Sequence, residues 1–314
     1  MNDTGYAPVV LFTYNRPKHT QKTIEALERN LLSEKSPLFL FVDGYKDEGD
    51  KREVEEVRSL LYQYKNKSHF HDVTIYVSDC HKGLANSVID GVSRIIARYG
   101  NVIVLEDDLI TSPDFLKYMN MALDYYENEE KIWSIAGYSP NIKQLLSYKN
   151  DVYMCLRAGS WGWATWNNRW KTVDWEVNSY KEFCKDRQMR KKFQKCGMDM
   201  PDMLDRQMRG EIDSWAIRFC YEQFRQGKLT VTPTVSRVQN IGMDGSGTHG
   251  TVDHRWDVDC NRKIRDIRLI PAERDYAIEK AYYRFYAGGL WDQTGGRLKS
   301  YLYQKLYGKK DKRV

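Results

Sequence analysis

Three acidic residues directly follow an apolar run in the segment Val102-Ile103-Val104-Leu105-Glu106-Asp107-Asp108. The apolar run predicts a buried strand, and the acids then stand at its carboxyl end. Carboxylates at the rim of an apolar core repel one another and lose hydration, a cost that a hard divalent cation removes. Oxygen ligands of this kind suit Mn²⁺ or Mg²⁺. The segment therefore predicts a metal site, and the alternative is an acidic turn that is only solvated.

Strands alternate with helices in the chain before this segment. Two earlier apolar runs end at Thr13-Tyr14-Asn15-Arg16-Pro17 and at Asp43-Gly44, and residues with helical spacing follow each of them. This alternation predicts an α/β fold with a mostly parallel sheet that carries helices on both faces. Because ligands of such sheets bind beyond the carboxyl ends of the strands, Thr13, Arg16 and Asp43 are expected beside the acidic triplet.

Composition and motifs exclude several classes of protein. The chain has 314 residues, of which 41% are hydrophobic and 13% aromatic, so it can bury one large core or two modest ones. Its net charge of +6 is too small to indicate a nucleic-acid binder. Neither a P-loop nor a GxGxxG fingerprint is present. The six cysteines lack CxxC spacing and are expected to be free thiols rather than a zinc site.

The second half of the chain is dense in tryptophan. Five tryptophans fall within fifteen residues, namely Trp161, Trp163, Trp166, Trp170 and Trp175. They form either a packed core or a stacking platform for sugar rings. The small residues Gly159, Ser160 and Gly162 predict that Trp161 and Trp163 lie on a tight loop near the site.

Two later segments are candidates for a role in the site. Asp213 precedes an apolar periodic helix, a position at which Asp is most often a simple N-cap. Four glycines between Gly242 and Gly250 predict a mobile loop that closes over bound substrate and excludes water.

The C-terminus is basic and bears on cellular location. Lys309, Lys310, Lys312 and Arg313 follow residues 298–306, whose apolar side chains share one helical face. Such a helix can lie on an anionic membrane surface, or it can pack on the core ahead of a solvated tail. Because no signal peptide or membrane-spanning run is present, we expect a cytoplasmic protein, with peripheral contact to the cytoplasmic membrane face as a hypothesis.

The order of these motifs resembles the GT-A glycosyltransferases, and more closely those of the N-acetylglucosaminyltransferase I type. That family has an acidic triplet, a Pro-Asp-Phe segment, a Gly-Trp segment, an Asp-Trp pair and a Ser-Arg before a glycine-containing loop. Here these elements read Glu106-Asp107-Asp108, Pro113-Asp114-Phe115, Gly162-Trp163, Asp213-Ser214-Trp215 and Ser236-Arg237. The resemblance covers roughly residues 7 to 250 by motif order. It departs from the family at Asn15, where an acidic residue is usual, and we expect no membrane anchor, whereas the eukaryotic members have one.

The resemblance implies a GT-A fold with an α-rich acceptor-side half. Residues 1–137 would form the nucleotide-sugar-binding half. Residues 138–270 would form the acceptor-binding and catalytic half, with a mobile loop at 240–250. Residues 271–314 would form a C-terminal helical segment with the basic tail.

Roles for matching residues on the donor side also follow from the resemblance. Asp108 would contact the Mn²⁺ or Mg²⁺ ion, and Glu106 and Asp107 would arrange the ribose and the metal-bound waters. Asp43 would accept a hydrogen bond from the uracil N–H. Arg16 would sit near the nucleotide phosphates.

On the acceptor side, the resemblance implies that Asp213 is the general base, which takes a proton from the acceptor hydroxyl in an inverting reaction. Ser236 and Arg237 would brace the loop that follows them over the donor. Thr13 and Trp163 complete the predicted donor-binding residues.

Together these features predict a metal-dependent inverting glycosyltransferase. The expected donor is a UDP-sugar, with UDP-N-acetylglucosamine as first choice. The acceptor would be a saccharide or a lipid-linked saccharide in glycan or surface-polysaccharide synthesis, and no nucleic acid would be involved. The alternatives are a sugar nucleotidyltransferase, a non-catalytic carbohydrate-binding protein with a degenerate transferase fold and, less favoured, a retaining transferase.

Overall fold

The computed structural model describes residues 5–244, 254–260 and 266–287. Its strands are β1 (Val9–Thr13), β2 (Pro37–Val42), β3 (Asp72–Val77), β4 (Asn101–Glu106), β5 (Leu109–Thr111), β6 (Ile132–Ala136), β7 (Val152–Cys155), β8 (Trp163–Trp166), β9 (Leu229–Pro233) and β10 (Val238–Asn240). Its α-helices are α1 (Pro17–Glu28), α2 (Lys51–Lys65), α3 (Leu84–Tyr99), α4 (Phe115–Tyr125), α5 (Asn167–Trp170), α6 (Tyr180–Lys185), α7 (Arg187–Phe193), α8 (Met200–Met208), α9 (Trp215–Arg225) and α10 (Tyr276–Ala287). Short 3-10 helices lie at Ser33–Lys35, Lys143–Ser147, Gln194–Cys196 and His254–Trp256.

Eight of the strands form one sheet in the order β3-β2-β1-β4-β8-β6-β9-β7. The first four strands are parallel to one another. β8 runs antiparallel to both β4 and β6, and β7 runs antiparallel to β9. The predicted α/β fold with a mostly parallel sheet is therefore confirmed. Strands from both sides of residue 137 share this sheet, so the predicted halves do not have separate sheets.

The two faces of the sheet belong to two apolar cores. Along β1, Val9 and Leu11 pack into the core that includes residues of α1, α2 and α4, whereas Val10 and Phe12 pack into the core that includes residues of α3 and α9. Successive side chains of a strand point to opposite faces, so a strand covered by helices on both sides must be apolar at every position. This burial explains the unbroken apolar runs of the sequence.

A two-stranded ribbon crosses the carboxyl edge of the sheet. β5 starts directly after the acidic triplet and pairs antiparallel with β10. The Ile241 N–H then donates to the Asp108 carbonyl oxygen at 2.8 Å. The ribbon thus brings the chain after β10 onto the acidic triplet, although the two segments are more than 120 residues apart in sequence.

Within the described residues, no helix has the length and apolar character required to cross a bilayer. α10 lies in the predicted C-terminal helical segment. The predicted amphipathic stretch at 298–306, the basic tail and residues 245–250 of the predicted mobile loop lie outside the described part of the chain.

Candidate active site

The acidic triplet is linked to the loop that follows β1. Glu106 ends β4, and Asp107 and Asp108 form the turn to β5. The Tyr14 N–H donates to Asp107 Oδ2 at 3.3 Å, and the Thr23 hydroxyl donates to the Asp107 carbonyl oxygen at 2.8 Å. These bonds hold the triplet against the carboxyl end of β1, as its place after a parallel strand predicts.

Burial and mutual repulsion make the triplet electrostatically costly. Burial, followed by the charges of the neighbouring acids, raises the pKa of Glu106 to about 8. Burial and Asp108 raise the pKa of Asp107 to about 7, and the Arg16 guanidinium opposes both shifts. The Trp215 side chain, which lies beside Glu106, opposes the upward shift of the Glu106 pKa. A cluster of carboxylates that resists ionisation in this way favours any added positive charge.

Arg16 and Asp108 form an ion pair at the mouth of the site. Arg16 Nη1 lies 2.9 Å from Asp108 Oδ2 and 3.9 Å from Asp107 Oδ1. Three polar atoms of the pair are buried without a hydrogen-bond partner, namely Arg16 Nε, Arg16 Nη2 and Asp108 Oδ1. Each unsatisfied buried group costs about 1–3 kcal/mol. The pair therefore offers two donors and one acceptor to a ligand.

These atoms agree with a cation that arrives together with a phosphate ligand. Among the described residues, no group of three or more His, Cys, Asp or Glu side chains is placed to hold a metal ion. One free carboxylate oxygen at Asp108 does not make a closed cage. It does fit an ion such as Mg²⁺ or Mn²⁺, which keeps waters and takes phosphate oxygens as ligands.

Asp43 holds the turn that leads into α3. Its carboxylate accepts hydrogen bonds from the backbone N–H groups of Gly44, Lys82 and Gly83, each at 2.9 Å. His81 Nδ1 also lies 3.1 Å from Asp43 Oδ2. Both oxygens thus bond within the protein. The predicted hydrogen bond from Asp43 to uracil stays a prediction, and it would have to share these partners.

His81 was missed in the sequence analysis. Its ring lies 5.0 Å from the Tyr14 ring, so the two rings stand together beside Asp43 at the carboxyl edge of the sheet. A signal was present, because His81 follows β3 as Arg16 follows β1. It stands alone among six dispersed histidines, without a motif that would single it out.

Asp213 lies on the other side of the same turn. A Cβ atom at position 83 would lie 3.7 Å from Asp213 Oδ2, and Arg218 Nη2 donates to Asp213 Oδ1 at 3.3 Å. The Asp213 side chain is 56% exposed. The interpretation of Asp213 as an N-cap is wrong: Ser214 caps α9, because its hydroxyl accepts from the Ile217 N–H at 3.3 Å. Asp213 is therefore free of a capping role.

Trp163 does not lie on a loop. It begins β8 and is fully buried, and its ring stacks on Trp215 at 4.8 Å and on Trp170 at 5.7 Å. The predicted loop position is wrong because Gly162, with φ of 64°, ends the turn one residue earlier. The side chain is covered by its neighbours in this structure, and its predicted donor contact stays a prediction. It supports the Trp215 ring, which lowers the pKa of the Glu106 carboxyl.

Thr13, Ser236 and Arg237 lie close behind the edge of the sheet, and all three are buried. The Thr13 hydroxyl donates to the Phe41 carbonyl oxygen at 3.0 Å, and the Ser236 hydroxyl donates to the Val238 carbonyl oxygen at 2.7 Å. Arg237 pairs with Asp114 at 3.0 Å. The Arg237–Asp114 pair joins the Ser-Arg segment to the Pro-Asp-Phe segment. Direct donor contacts of these three residues stay predictions.

Gly242 packs directly on the ion pair. A Cβ atom there would lie 2.0 Å from Asp108 Oδ2 and 2.8 Å from Arg16 Nη2. The chain after β10 thus approaches the triplet more closely than any side chain allows. The glycine-rich composition indicated mobility, but it did not indicate this close contact.

Gly242→Ala is expected to destabilise the protein by about 1–3 kcal/mol, because the added methyl group must displace either the backbone after β10 or the Arg16–Asp108 pair. Chemical denaturation measures this loss. Gly49→Ala is the matched control, since its Cβ would meet only the flexible end of the Asp47 side chain. Equal stability of the two variants would contradict the close packing at Gly242.

The mostly parallel sheet, with acidic residues at its carboxyl edge and a second, exposed carboxylate across the Gly83 turn, agrees with the GT-A fold that the motif order predicts. A model of the GNT-I family matches residues 2–200, so the chain belongs to the GNT-I family. The resemblance to the N-acetylglucosaminyltransferase I type is thereby confirmed. No curated protein sequence matches the chain significantly.

Several solved structures are similar to the chain at low sequence identity. Residues 1–349 of S. aureus TarS match with 10% identity and a TM-score of 0.45, over 74% of this chain and 59% of that one. The mannosyltransferase PcManGT from Pyrobaculum calidifontis, in complex with GDP-Man and Mn²⁺, matches with 12% identity and a TM-score of 0.37, over 54% and 47%. The galactosyltransferase LgtC, in complex with donor and acceptor sugar analogues, matches with 9% identity and a TM-score of 0.35, over 71% and 72%. The chain thus spans less than two thirds of the first two structures.

Proposed function

We propose that this protein is a metal-dependent inverting glycosyltransferase. It transfers a sugar, with N-acetylglucosamine as first choice, from a UDP-sugar to a saccharide or lipid-linked saccharide acceptor in glycan or surface-polysaccharide synthesis. One observation carries the proposal. The Gly83 turn joins the two sides of the site, because its N–H donates to Asp43 Oδ2 at 2.9 Å and a Cβ atom at position 83 would lie 3.7 Å from Asp213 Oδ2. A donor-side and an acceptor-side carboxylate thus flank one edge of the sheet.

On the donor side, the unpaired atoms of the ion pair match the charge of a diphosphate. The free N–H groups of Arg16 would donate to phosphate oxygens, and such charge-assisted bonds are stronger than neutral ones. A divalent cation, when bound, would be held by Asp108 and would offset the charge that develops on the leaving diphosphate. Gly242 lets the backbone cover this corner and restrict the access of water.

On the acceptor side, Asp213 supplies the base. The acceptor oxygen forms a bond to the anomeric carbon while the bond from that carbon to the diphosphate breaks, and Asp213 Oδ2 takes the hydroxyl proton. Attack from the side opposite the leaving group inverts the configuration. The exposure of Asp213 allows an acceptor to reach it, and its contact with Gly83 keeps it beside the donor.

A screen of nucleotide-sugars for metal-dependent hydrolysis and transfer tests the proposal, and the anomeric configuration of the product tests inversion. Calorimetric titration with UDP, with and without Mn²⁺, separates the alternatives. Absence of metal-dependent UDP binding would leave a non-catalytic protein. Release of pyrophosphate from UTP and a sugar 1-phosphate would instead identify a nucleotidyltransferase.

Arg218 has the geometry of a positioning residue for Asp213. Its Nε donates to the Ser214 carbonyl oxygen at 3.1 Å and its Nη1 to the Trp175 carbonyl oxygen at 3.3 Å. These two bonds anchor the guanidinium group, so that Nη2 points at Asp213 Oδ1. Oδ2 is then the oxygen available to act as base.

Arg218→Gln is expected to lower kcat about 10- to 100-fold, because a base that is free to rotate leaves its productive geometry. The KM for the donor should not change, and Arg218→Lys should recover part of the loss. Arg225→Gln is the control, since Arg225 pairs with Glu222 on the same helix. Steady-state kinetics that show the same kcat for both Gln variants would contradict this role.

The C-terminal segment remains a candidate for peripheral contact with the cytoplasmic membrane face. Its basic residues lie outside the described residues, so the hypothesis rests on sequence alone. Equal co-sedimentation with liposomes by the full chain and by a chain cut after Gly295 would remove it.

A further inference from the structure

One surface carries a charge that the proposed reaction does not use. Residues 180–195 cover α6, α7 and most of the 3-10 helix Gln194–Cys196. They contain seven Lys or Arg and two acidic residues, which is a net charge of +5. Six of these basic side chains, here called the basic face, are exposed: Lys181, Lys185, Arg187, Lys191, Lys192 and Lys195. A single short segment thus carries a dense excess of positive charge.

The basic face is not neutralised by the surrounding protein. Arg190, the seventh basic residue, pairs with Asp205 at 2.7 Å. None of the six residues of the basic face takes part in an ion pair with another described residue. The acidic residue Asp186 accepts hydrogen bonds from the backbone N–H groups of Gln188 and Met189 and so caps α7. The six cations consequently remain available to an external anion.

The core fixes the direction in which the basic face points. Phe183 of α6 and Phe193 of α7 are fully buried, and their rings meet edge to face at 5.7 Å. On short amphipathic helices, burial of one side forces the opposite side into solvent. The Lys and Arg side chains of α6 and α7 are thus presented together on an ordered surface.

Exposed apolar side chains accompany the charge. α10 packs against both Lys143–Ser147 and Gln194–Cys196, and Lys195 and Ile278 line one small cavity between them. Leu146 is 86% exposed and Tyr276, the first residue of α10, is 71% exposed. Exposed leucine and tyrosine on elements that adjoin a lysine cluster are typical of surfaces that enter the headgroup region of a bilayer. A binding site for a soluble polyanion needs no such apolar groups.

We propose that the basic face, together with Leu146 and Tyr276, docks on an anionic phospholipid membrane. Each Lys or Arg near such a surface adds favourable electrostatic energy, and the two apolar side chains insert between the headgroups. The sequence after Ala287, residues 288–314, contains seven further Lys or Arg and two Asp and lies outside the described part of the chain. The proposal does not depend on the proposed transferase activity.

Flotation of the full-length protein with phosphatidylcholine vesicles, with and without phosphatidylglycerol, tests the proposal. We expect binding only to the vesicles with phosphatidylglycerol, and weaker binding at high salt because salt screens exposed charges. The variant Lys191→Glu/Lys192→Glu/Lys195→Glu should bind at least about 100-fold more weakly. The control Lys22→Glu/Lys65→Glu/Lys67→Glu makes the same change in net charge at exposed positions, one in α1 and two at or just after the C-terminal end of α2. This control should keep most of the binding.

Leu146→Ser/Tyr276→Ser tests the apolar part of the surface. Both side chains are exposed, so the thermal stability of this variant should match that of the unchanged protein. Its vesicle binding should fall about tenfold and become more sensitive to salt. Equal losses in the two lysine triple variants would overturn the proposal. So would binding to soluble polyphosphate without binding to vesicles, which would identify a polyanion site instead.

Discussion

Asp213→Asn is expected to abolish sugar transfer while leaving donor binding intact. The substitution keeps the shape of the side chain and its contact with the Gly83 turn, but it removes the group that accepts the proton. Loss of a positioned general base lowers rates by about 10²- to 10⁴-fold. The large effect is expected because the Asp43 carboxylate on the same turn already accepts three backbone N–H groups and so cannot take over as the base.

Two measurements on this variant are needed together. Transfer assays should show the loss of turnover, and calorimetry with UDP and Mn²⁺ should show donor affinity close to that of the unchanged protein. Glu211→Gln provides the control, since Glu211 lies two residues earlier and pairs with Arg209 at the surface. Near-normal turnover of Asp213→Asn would show that the assignment of the base is wrong.

Asp108→Ala is expected to abolish transfer and also to weaken UDP binding in the presence of Mn²⁺. Asp108 Oδ1 is the free oxygen of the triplet, and the charge of Asp108 helps to raise the pKa of Glu106 and of Asp107. Without this carboxylate, the corner loses its candidate ligand for the cation. A contribution of several kcal/mol from a bound metal ion corresponds to a loss of more than about 100-fold.

The ion pair with Arg16 requires a control for folding. Removal of Asp108 leaves the Arg16 guanidinium group without its partner at 2.9 Å, so part of any loss can arise from the unpaired cation. Asp108→Asn keeps a hydrogen-bond acceptor for Arg16 and isolates the effect of charge. Asp79→Ala, an exposed acid after β3 at the same edge, should change neither activity nor affinity. Unchanged metal-dependent UDP titration of Asp108→Asn would contradict the metal assignment.

The two proposals differ in what their failure would mean. Loss of the Asp213 and Asp108 effects would remove the transferase mechanism and leave the membrane proposal untouched. Failure of vesicle binding would leave the active site as described. The two sets of variants share no residue, so each can fail alone.

The strands and the edge where the site lies were predictable from local patterns. The apolar runs 9–12, 38–42, 73–77 and 102–105 each match a strand to within one residue at either end. A strand that is covered on both faces of a parallel sheet must be apolar at every position, whichever strands it pairs with. The apolar pattern therefore identifies the strand without knowledge of its partners. For the same reason, the acids after Leu105 could be placed at the carboxyl edge.

The contacts between the loops at that edge could not be predicted in the same way. The Arg16–Asp108 pair joins residues 92 positions apart, and Asp43 bonds to a turn about 40 positions away. The burial of Trp163 and the tight packing of Gly242 also depend on segments distant in sequence. Local periodicity reports which side of an element faces the core, because each residue responds to burial separately. Pairing between distant loops arises only when the strand order of the sheet brings their ends together, and no short segment carries that order.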